Sequence, residues 1–199
     1  MKLVDPNGME LDDYFSKSGK YLGSDDASTR NVRIIDEKLW NSLDKDENGH
    51  VEHDLANSMS ASFSQASSQS MSESEQLSVY QHYNPTDCNI ENFGGDGKTY
   101  GMKIHFEFQK KPIIRIRLKG NSTGFKVCDH ADEITNLFSH EKGHLDLYES
   151  IGHREYQSLG KSVQERIAIQ AQMNDPSWGG TREKFKQDFI SYGRKYGLK

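Results

Sequence analysis

Two short stretches of the chain alternate strictly between apolar and polar side chains. Met102, Ile104, Phe106 and Phe108 interleave with Lys103, His105 and Glu107, and Ile114, Ile116 and Leu118 with Arg115, Arg117 and Lys119. A period of two sends successive side chains to opposite faces, so each stretch predicts a strand with one buried face. Lys110-Lys111-Pro112 between them suits an antiparallel pair, and the arginines fall on the face predicted to be solvated. From Asp129 the apolar spacing lengthens to the helical period and predicts helices over about 131–151, about 155–173 and about 181–196.

The N-terminal half is less periodic. Ile35, Leu39, Trp40 and Leu43 predict a short amphipathic helix from Asp36. Ten of the 22 residues from 57 to 78 are serine, and apolar positions there fit a strand, a helix or a flexible connector equally. Ser72-x-x-Glu75 reads as a capping box opening a helix through Leu77, Val79 and Tyr80, which must end before Asn84-Pro85. Residues 1–30 are rich in turn formers with only short aromatic touches, which predicts a hairpin-like or extended arm outside the core. Gly94-Gly95-Asp96-Gly97 predicts another turn. Strands followed by a run of helices indicate an α+β fold, a small antiparallel sheet packed against helices.

Composition narrows the function classes. The 199 residues suit one domain with a short appendage, and 33% hydrophobic content with 20 aromatic side chains supports a core. A net charge of −5 argues against nucleic acid as a partner, because phosphate recognition calls for a basic footprint. No apolar run approaches the roughly 18 residues of a membrane span. Met1–Pro6 carries no apolar stretch of the signal-peptide kind. Cys88 and Cys128 are too few for a disulfide scaffold and read as unpaired thiols.

Chemistry concentrates in His140-Glu141-Lys142-Gly143-His144, an H-E-x-x-H pattern inside the first late helix. Residues four apart share a helix face, so His140 and His144 can offer two imidazoles to one zinc ion, with Glu141 beside them to take a proton from a metal-activated water. Apolar residues on more than one face of this helix imply burial on two sides, where uncompensated polar groups are costly. His153 lies about 13 Å further along a continuous helix and on its opposite face, and Asp146 and Glu149 also turn away. Glu165, 21 residues after His144 on a separate predicted helix, fits best as third ligand, with His153 and Asp146 as alternatives. A second candidate is Asp44-x-Asp46-x-Asn48-Gly49-x-Val51-Glu52, the first half of an EF-hand loop, which proposes Ca2+ at Asp44, Asp46 and Asn48. Leu55 stands where the bidentate glutamate belongs, so a plain Asx-rich turn is the competing reading.

His140-Glu141-x-x-His144 with a later Glu165 resembles the gluzincin class of zinc metallopeptidases in miniature. The resemblance implies zinc held by His140, His144 and Glu165, catalysis by Glu141, and a protein or peptide substrate. It also implies a substrate-lining edge strand, here Lys111–Lys119, and an oxyanion-stabilising group among Tyr148, His153, Tyr156 and Tyr192. Separately, Asp5-Pro6-Asn7-Gly8-Met9, Asp12-Asp13-Tyr14-Phe15 and Gly19-Lys20-Tyr21-Leu22-Gly23-Ser24-Asp25 resemble the end of the core of bacterial RHS-repeat proteins, whose C-terminal domains are often toxins. With Glu165-Arg166-x-Ala168-Ile169-x-x-Gln172 and Pro176-Ser177-Trp178, that resemblance implies an effector tip. It would comprise an arm over 1–30 and a metallopeptidase domain over 31–199, exported or surface-displayed with a larger protein and met by a cognate immunity protein. The alternative is a non-catalytic adhesion module with a structural or degenerate metal site. The intact Glu141 favours the enzyme.

Overall fold

The protein, seen in a computed structural model, is described over residues 11–27, 29–93, 102–118 and 128–198. Its architecture is α+β, with two small mixed sheets and eight helices among the described residues. The chain forms two compact units, one from Met1–His82 with Cys128–Ala131 and one from Tyr83–Val127 with Asp132–Lys199. No described helix is long and apolar enough to cross a membrane. The Asp5–Gly8 and Gly94–Gly97 turns lie outside the described residues, as does Lys119 at the end of the second strand.

The first unit is built on strands β1 (Asp13–Phe15), β2 (Tyr21–Ser24) and β3 (Val32–Ile34), with helices α1 (Glu37–Ser42) and α2 (His53–Ser58) and the short β4 (Ala61–Ser62). Helices α3 (Phe63–Gln69) and α4 (Glu73–Tyr83) complete the chain up to the second unit. The sheet order is β2-β1-β3-β4, β1 running antiparallel to β2 and parallel to β3. The predicted N-terminal arm is therefore corrected. The hairpin exists, but β1 is an inner strand whose Tyr14 and Phe15 are both fully buried, Tyr14 stacked on Trp40 at 4.9 Å. Two consecutive buried residues mean that both faces of β1 are covered, so the strand shows none of the alternation that marks a half-buried one.

Local signals hold elsewhere in this unit. Asp36 caps α1 by accepting the N–H groups of Lys38 and Leu39. The Ser72/Glu75 capping box forms in both directions, Ser72 N–H to Glu75 at 2.6 Å and Glu75 N–H to the Ser72 hydroxyl at 3.4 Å. The serine-rich stretch is mainly helical. Phe63 and Ala66 bury one face of α3, while Ser67 and Ser68 donate their hydroxyls to carbonyls three residues back. Such bonds satisfy the hydroxyls but erase a clear polar period.

A clasp closes this unit near its N-terminus. Asp25, fully buried, accepts from the Asp12 and Ala27 N–H groups through Oδ1. Its Oδ2 meets the Tyr14 hydroxyl at 2.9 Å and His53 Nδ1 at 2.7 Å. The hydrogen bond and charge of Asp25 raise the His53 pKa above 6.5, against a smaller lowering by burial. A raised folded-state value means that the protonated imidazole stabilises the fold fully below about pH 6.5, and that this contribution is lost as pH rises through the higher folded value. The urea midpoint of wild type is therefore expected to fall relative to that of His53→Asn as pH climbs from about 6 to about 9. Parallel pH profiles of the two proteins would refute the clasp.

The second unit carries β5 (Asn89–Asn92), β6 (Met102–His105) and β7 (Ile113–Ile116) in the order β5-β7-β6. The expected β6/β7 antiparallel pair is present, Met102 opposite Ile116 and Ile104 opposite Ile114, and Ile114, Ile116 and Leu118 are buried. Three expectations are corrected. The strand within Lys111–Lys119 is central, with β5 parallel on one side and β6 antiparallel on the other, so among the described residues the edge strands are β5 and β6. Arg117 is buried rather than solvated, its guanidinium over the Phe93 ring at 5.7 Å. Phe108 falls in the turn after β6 and is 65% exposed.

Four helices follow, α5 (Ala131–Ser158), α6 (Lys161–Asn174), α7 (Ser177–Gly180) and α8 (Glu183–Arg194). α5 is broken at Gly152, where φ is +83°, a region open to glycine. The helix predicted over about 155–173 is interrupted at Leu159 and Gly160, its first residues ending α5 and the rest forming α6. Arg182 joins α8 to α5 by a forked pair of bonds to the buried Glu133 at 2.7 and 2.6 Å.

Candidate metal centre

His140 and His144 stand one turn apart on α5 with ring centroids 5.0 Å apart. Their Nε2 atoms face Glu165 Oε2 on α6, at 3.5 and 3.9 Å. These ligand-capable atoms all lie within 4.8 Å of one another. Donors about 2.0–2.1 Å from a tetrahedral zinc ion are roughly 3.3 Å apart, so a small contraction would seat one. The donor set also fits, two imidazole nitrogens and one carboxylate oxygen.

The far side of each ring is tied back. His140 Nδ1 lies 3.1 Å from Gln172 Oε1, and His144 Nδ1 lies 3.1 Å from the Tyr156 hydroxyl. With Nδ1–H as donor in each bond, the Nε2 lone pairs point towards Glu165. α6 reaches the site because α5 has a glycine at the crossing. A Cβ on Gly143 would stand 2.9 Å from both Ala168 Cα and Ala171 Cβ. The Tyr192 hydroxyl on α8 donates to Glu165 Oε2 at 2.9 Å and holds the carboxylate in place.

Glu141 is buried beside this cluster but is not part of it. Its Oε2 accepts the Ile104 N–H at 2.6 Å, from β6, an edge strand among the described residues. Burial raises the Glu141 pKa. Burial also lowers His144, to about 4, with the charge of His140 adding to the effect. For His140, burial pulls the pKa down, but the hydrogen bond to Glu165 and the charges of Glu141 and Glu165 outweigh it and raise it. Burial pushes Glu165 up, while bonds from His140 and Tyr192 bring it below the ordinary range. His140 and Glu165 thus each favour the charged form of the other, while burial favours the neutral imidazole of His144 that a metal ligand requires.

The other sequence candidates lie apart. Asp146 is exposed and paired with Lys142 at 2.5 Å. His153 follows the Gly152 break and meets Tyr148 at 3.4 Å, and Tyr148 itself stacks on Phe106. Glu149 is exposed. Tyr156 and Tyr192 both line the cleft of about 860 Å³ that opens over the two histidines. A second grouping able to hold a cation is Asp12, Asp25 and His53. Asp44, Asp46 and Asn48 are exposed, and Asp46 Oδ1 accepts the Asn48 and His50 N–H groups at 2.8 Å, an Asx turn. Cys88 and Cys128 are not joined in a disulfide.

Gln172 and Ile104 had no role at the site in the sequence reading, and Tyr156, named there as a candidate oxyanion donor, is bonded to His144. Gln172 had a signal, since it lies seven residues after Glu165 and therefore on the same helix face. Replacing it with Leu, close in volume, is expected to weaken zinc binding by about 10–100-fold, as loss of such a partner does elsewhere. A competition titration against a zinc chelator measures this, and unchanged affinity would deny Gln172 that role. Comparison with family models, curated proteins and solved structures finds no match to this chain, so the reading of the site stands on its own geometry.

Proposed function

We propose that the chain is a zinc-dependent peptidase whose metal is held by His140, His144 and Glu165. The observation that carries the reading is the convergence of two imidazole Nε2 atoms and a carboxylate from a second helix, with a non-ligating carboxylate, Glu141, buried alongside. Zinc, when bound, supplies a Lewis acid that polarises a carbonyl and acidifies a water. Glu141 accepts the proton of the attacking water and passes it to the departing amine. The Ile104 N–H, now on Glu141, belongs to a strand that is an edge among the described residues and can instead bond an extended peptide laid along β6. Tyr192, whose hydroxyl donates to Glu165 Oε2 and which lines the cleft, is the donor assigned to the developing oxyanion, a role for which it would exchange the Glu165 bond.

A purely structural metal site, such as an adhesion module would use, has no need of a buried carboxylate beside its ligands, which favours hydrolysis. The resemblance of the first 30 residues to an RHS core extends the proposal to the exported tip of a bacterial effector with a cognate immunity protein. The experiment is metal removal. Protein loaded with one equivalent of zinc is expected to hydrolyse an unfolded protein substrate, to stop after dialysis against a chelator, and to recover when zinc returns. Equal hydrolysis by loaded and stripped protein, or none by either, would overturn the reading.

A further inference from the structure

The cleft over the two histidines is basic although the chain carries a net charge of −5. Lys103 on β6, Lys161 at the start of α6 and Lys195 just beyond α8 all line it, and each is exposed. None of the three has a carboxylate partner among the described residues. Lys103 Nζ instead sits 3.7 Å from the centre of the Phe93 ring, and Lys161 Nζ 5.9 Å from that of Tyr196. An ammonium on a ring face keeps hydrogens free to donate outward, and it stays close to one position.

The acidic groups of the cleft do not cancel these charges. Glu141 and Glu165 belong to the proposed metal centre, where a bound divalent cation would offset the two carboxylate charges. Asp188 is held by Lys184 at 2.8 Å, and Glu91 neutralises Arg115 at 2.5 Å. Two of the lysines reach the cleft from different elements, Lys103 from β6 and Lys161 from α6. The charge of Lys103 is felt at Glu141 and that of Lys161 at His144, from the sheet side and the helix side respectively. Lys161 also opens α6, so the partial positive charge of that helix end adds to its own.

We propose that the cleft selects peptides bearing Asp or Glu on both sides of the bond to be cut, with Lys103 receiving one acidic side chain and Lys161 the other. The inference rests on the peptidase reading for the word cut, but recognition can be measured without it. Acidic clusters on a polypeptide meet a locally basic groove through short-range ion pairs, which give specificity and weaken with salt.

The probes are two fluorescent peptides of equal length, identical except that four glutamates in one are glutamines in the other. Their affinities are measured with zinc-loaded Glu141→Gln protein, and their turnover with zinc-loaded wild type. The glutamate peptide is expected to bind about 10-fold more tightly, the size of two partly screened ion pairs, and the advantage should shrink in high salt. The Lys103→Gln/Lys161→Gln double variant should lose most of that advantage, while Lys38→Gln, exposed in the other unit, should keep it. Equal affinity for the two peptides would overturn the proposal, as would a preference that survives the double variant. Preferential binding without hydrolysis of either peptide would sustain acidic recognition and overturn the peptidase reading. Hydrolysis of both at equal rates and affinities would do the reverse.

Discussion

Glu141→Gln is expected to keep one zinc per chain and to lower the rate of peptide hydrolysis by about 10²–10⁴-fold, the range over which a positioned proton acceptor acts. The substitution is close to isosteric. Glutamine offers an oxygen to the Ile104 N–H that now reaches Glu141 at 2.6 Å, so the link between β6 and α5 is preserved. What the amide cannot do is take a proton from the attacking water. Because Glu141 lies outside the ligand cluster, the metal should be indifferent to the change. The measurements are zinc stoichiometry by elemental mass spectrometry and single-turnover hydrolysis, which separates the chemical step from binding. Loss of zinc in the variant would make Glu141 a ligand. A variant as fast as wild type would remove Glu141 from the reaction.

The parts of this site legible in the sequence are those fixed by helix geometry alone. Two histidines four apart must share a face of α5, and the Glu between them must stand beside that face. Glu165 could be nominated because a second helix at that separation can fold back on the first. The crossing that brings it there could not be read. Gly143 occupies a variable position of the motif, and its importance lies in what faces it on α6. Tyr156 was legible only as one of four candidate oxyanion donors, because its place beside His144 depends on the break at Gly152 turning the end of α5.

The fold shows the same division. β6 and β7 were legible where one face is covered and the other is not. β1 was not, because its adjacent Tyr14 and Phe15 are both buried and the turn formers on either side dominate the composition. β5, Asn-Ile-Glu-Asn, has too little apolar content to signal a strand and is recruited by pairing with β7. Its recruitment closes one edge of β7 and leaves β6 as the edge strand beside Glu141 among the described residues, which moves the proposed substrate-lining role from the strand the resemblance implied to its neighbour.

Gly143→Ala is expected to weaken zinc binding by at least about 10-fold, or roughly 1.4 kcal/mol, and to destabilise the second unit although alanine is the better helix former. The new methyl would stand 2.9 Å from Ala168 Cα and 2.9 Å from Ala171 Cβ, with the Ala168 carbonyl oxygen at 3.4 Å. Neither close neighbour is the end of a flexible side chain, so relief requires α6 to move as a body. Overpacking of this kind costs about 1–3 kcal/mol, against up to about 1 kcal/mol gained from helix propensity. Glu165 and Gln172 both ride on α6, so the shift displaces the third ligand and the partner of His140 together. A metal site tolerates only about 0.2 Å in its ligand distances, which is why affinity should fall more clearly than stability. Gly179→Ala is the control, since a methyl there meets nothing within 4 Å. Urea denaturation and zinc competition on the two variants decide the matter. If Gly143→Ala binds zinc like Gly179→Ala, the close crossing of α5 and α6 is not what positions Glu165.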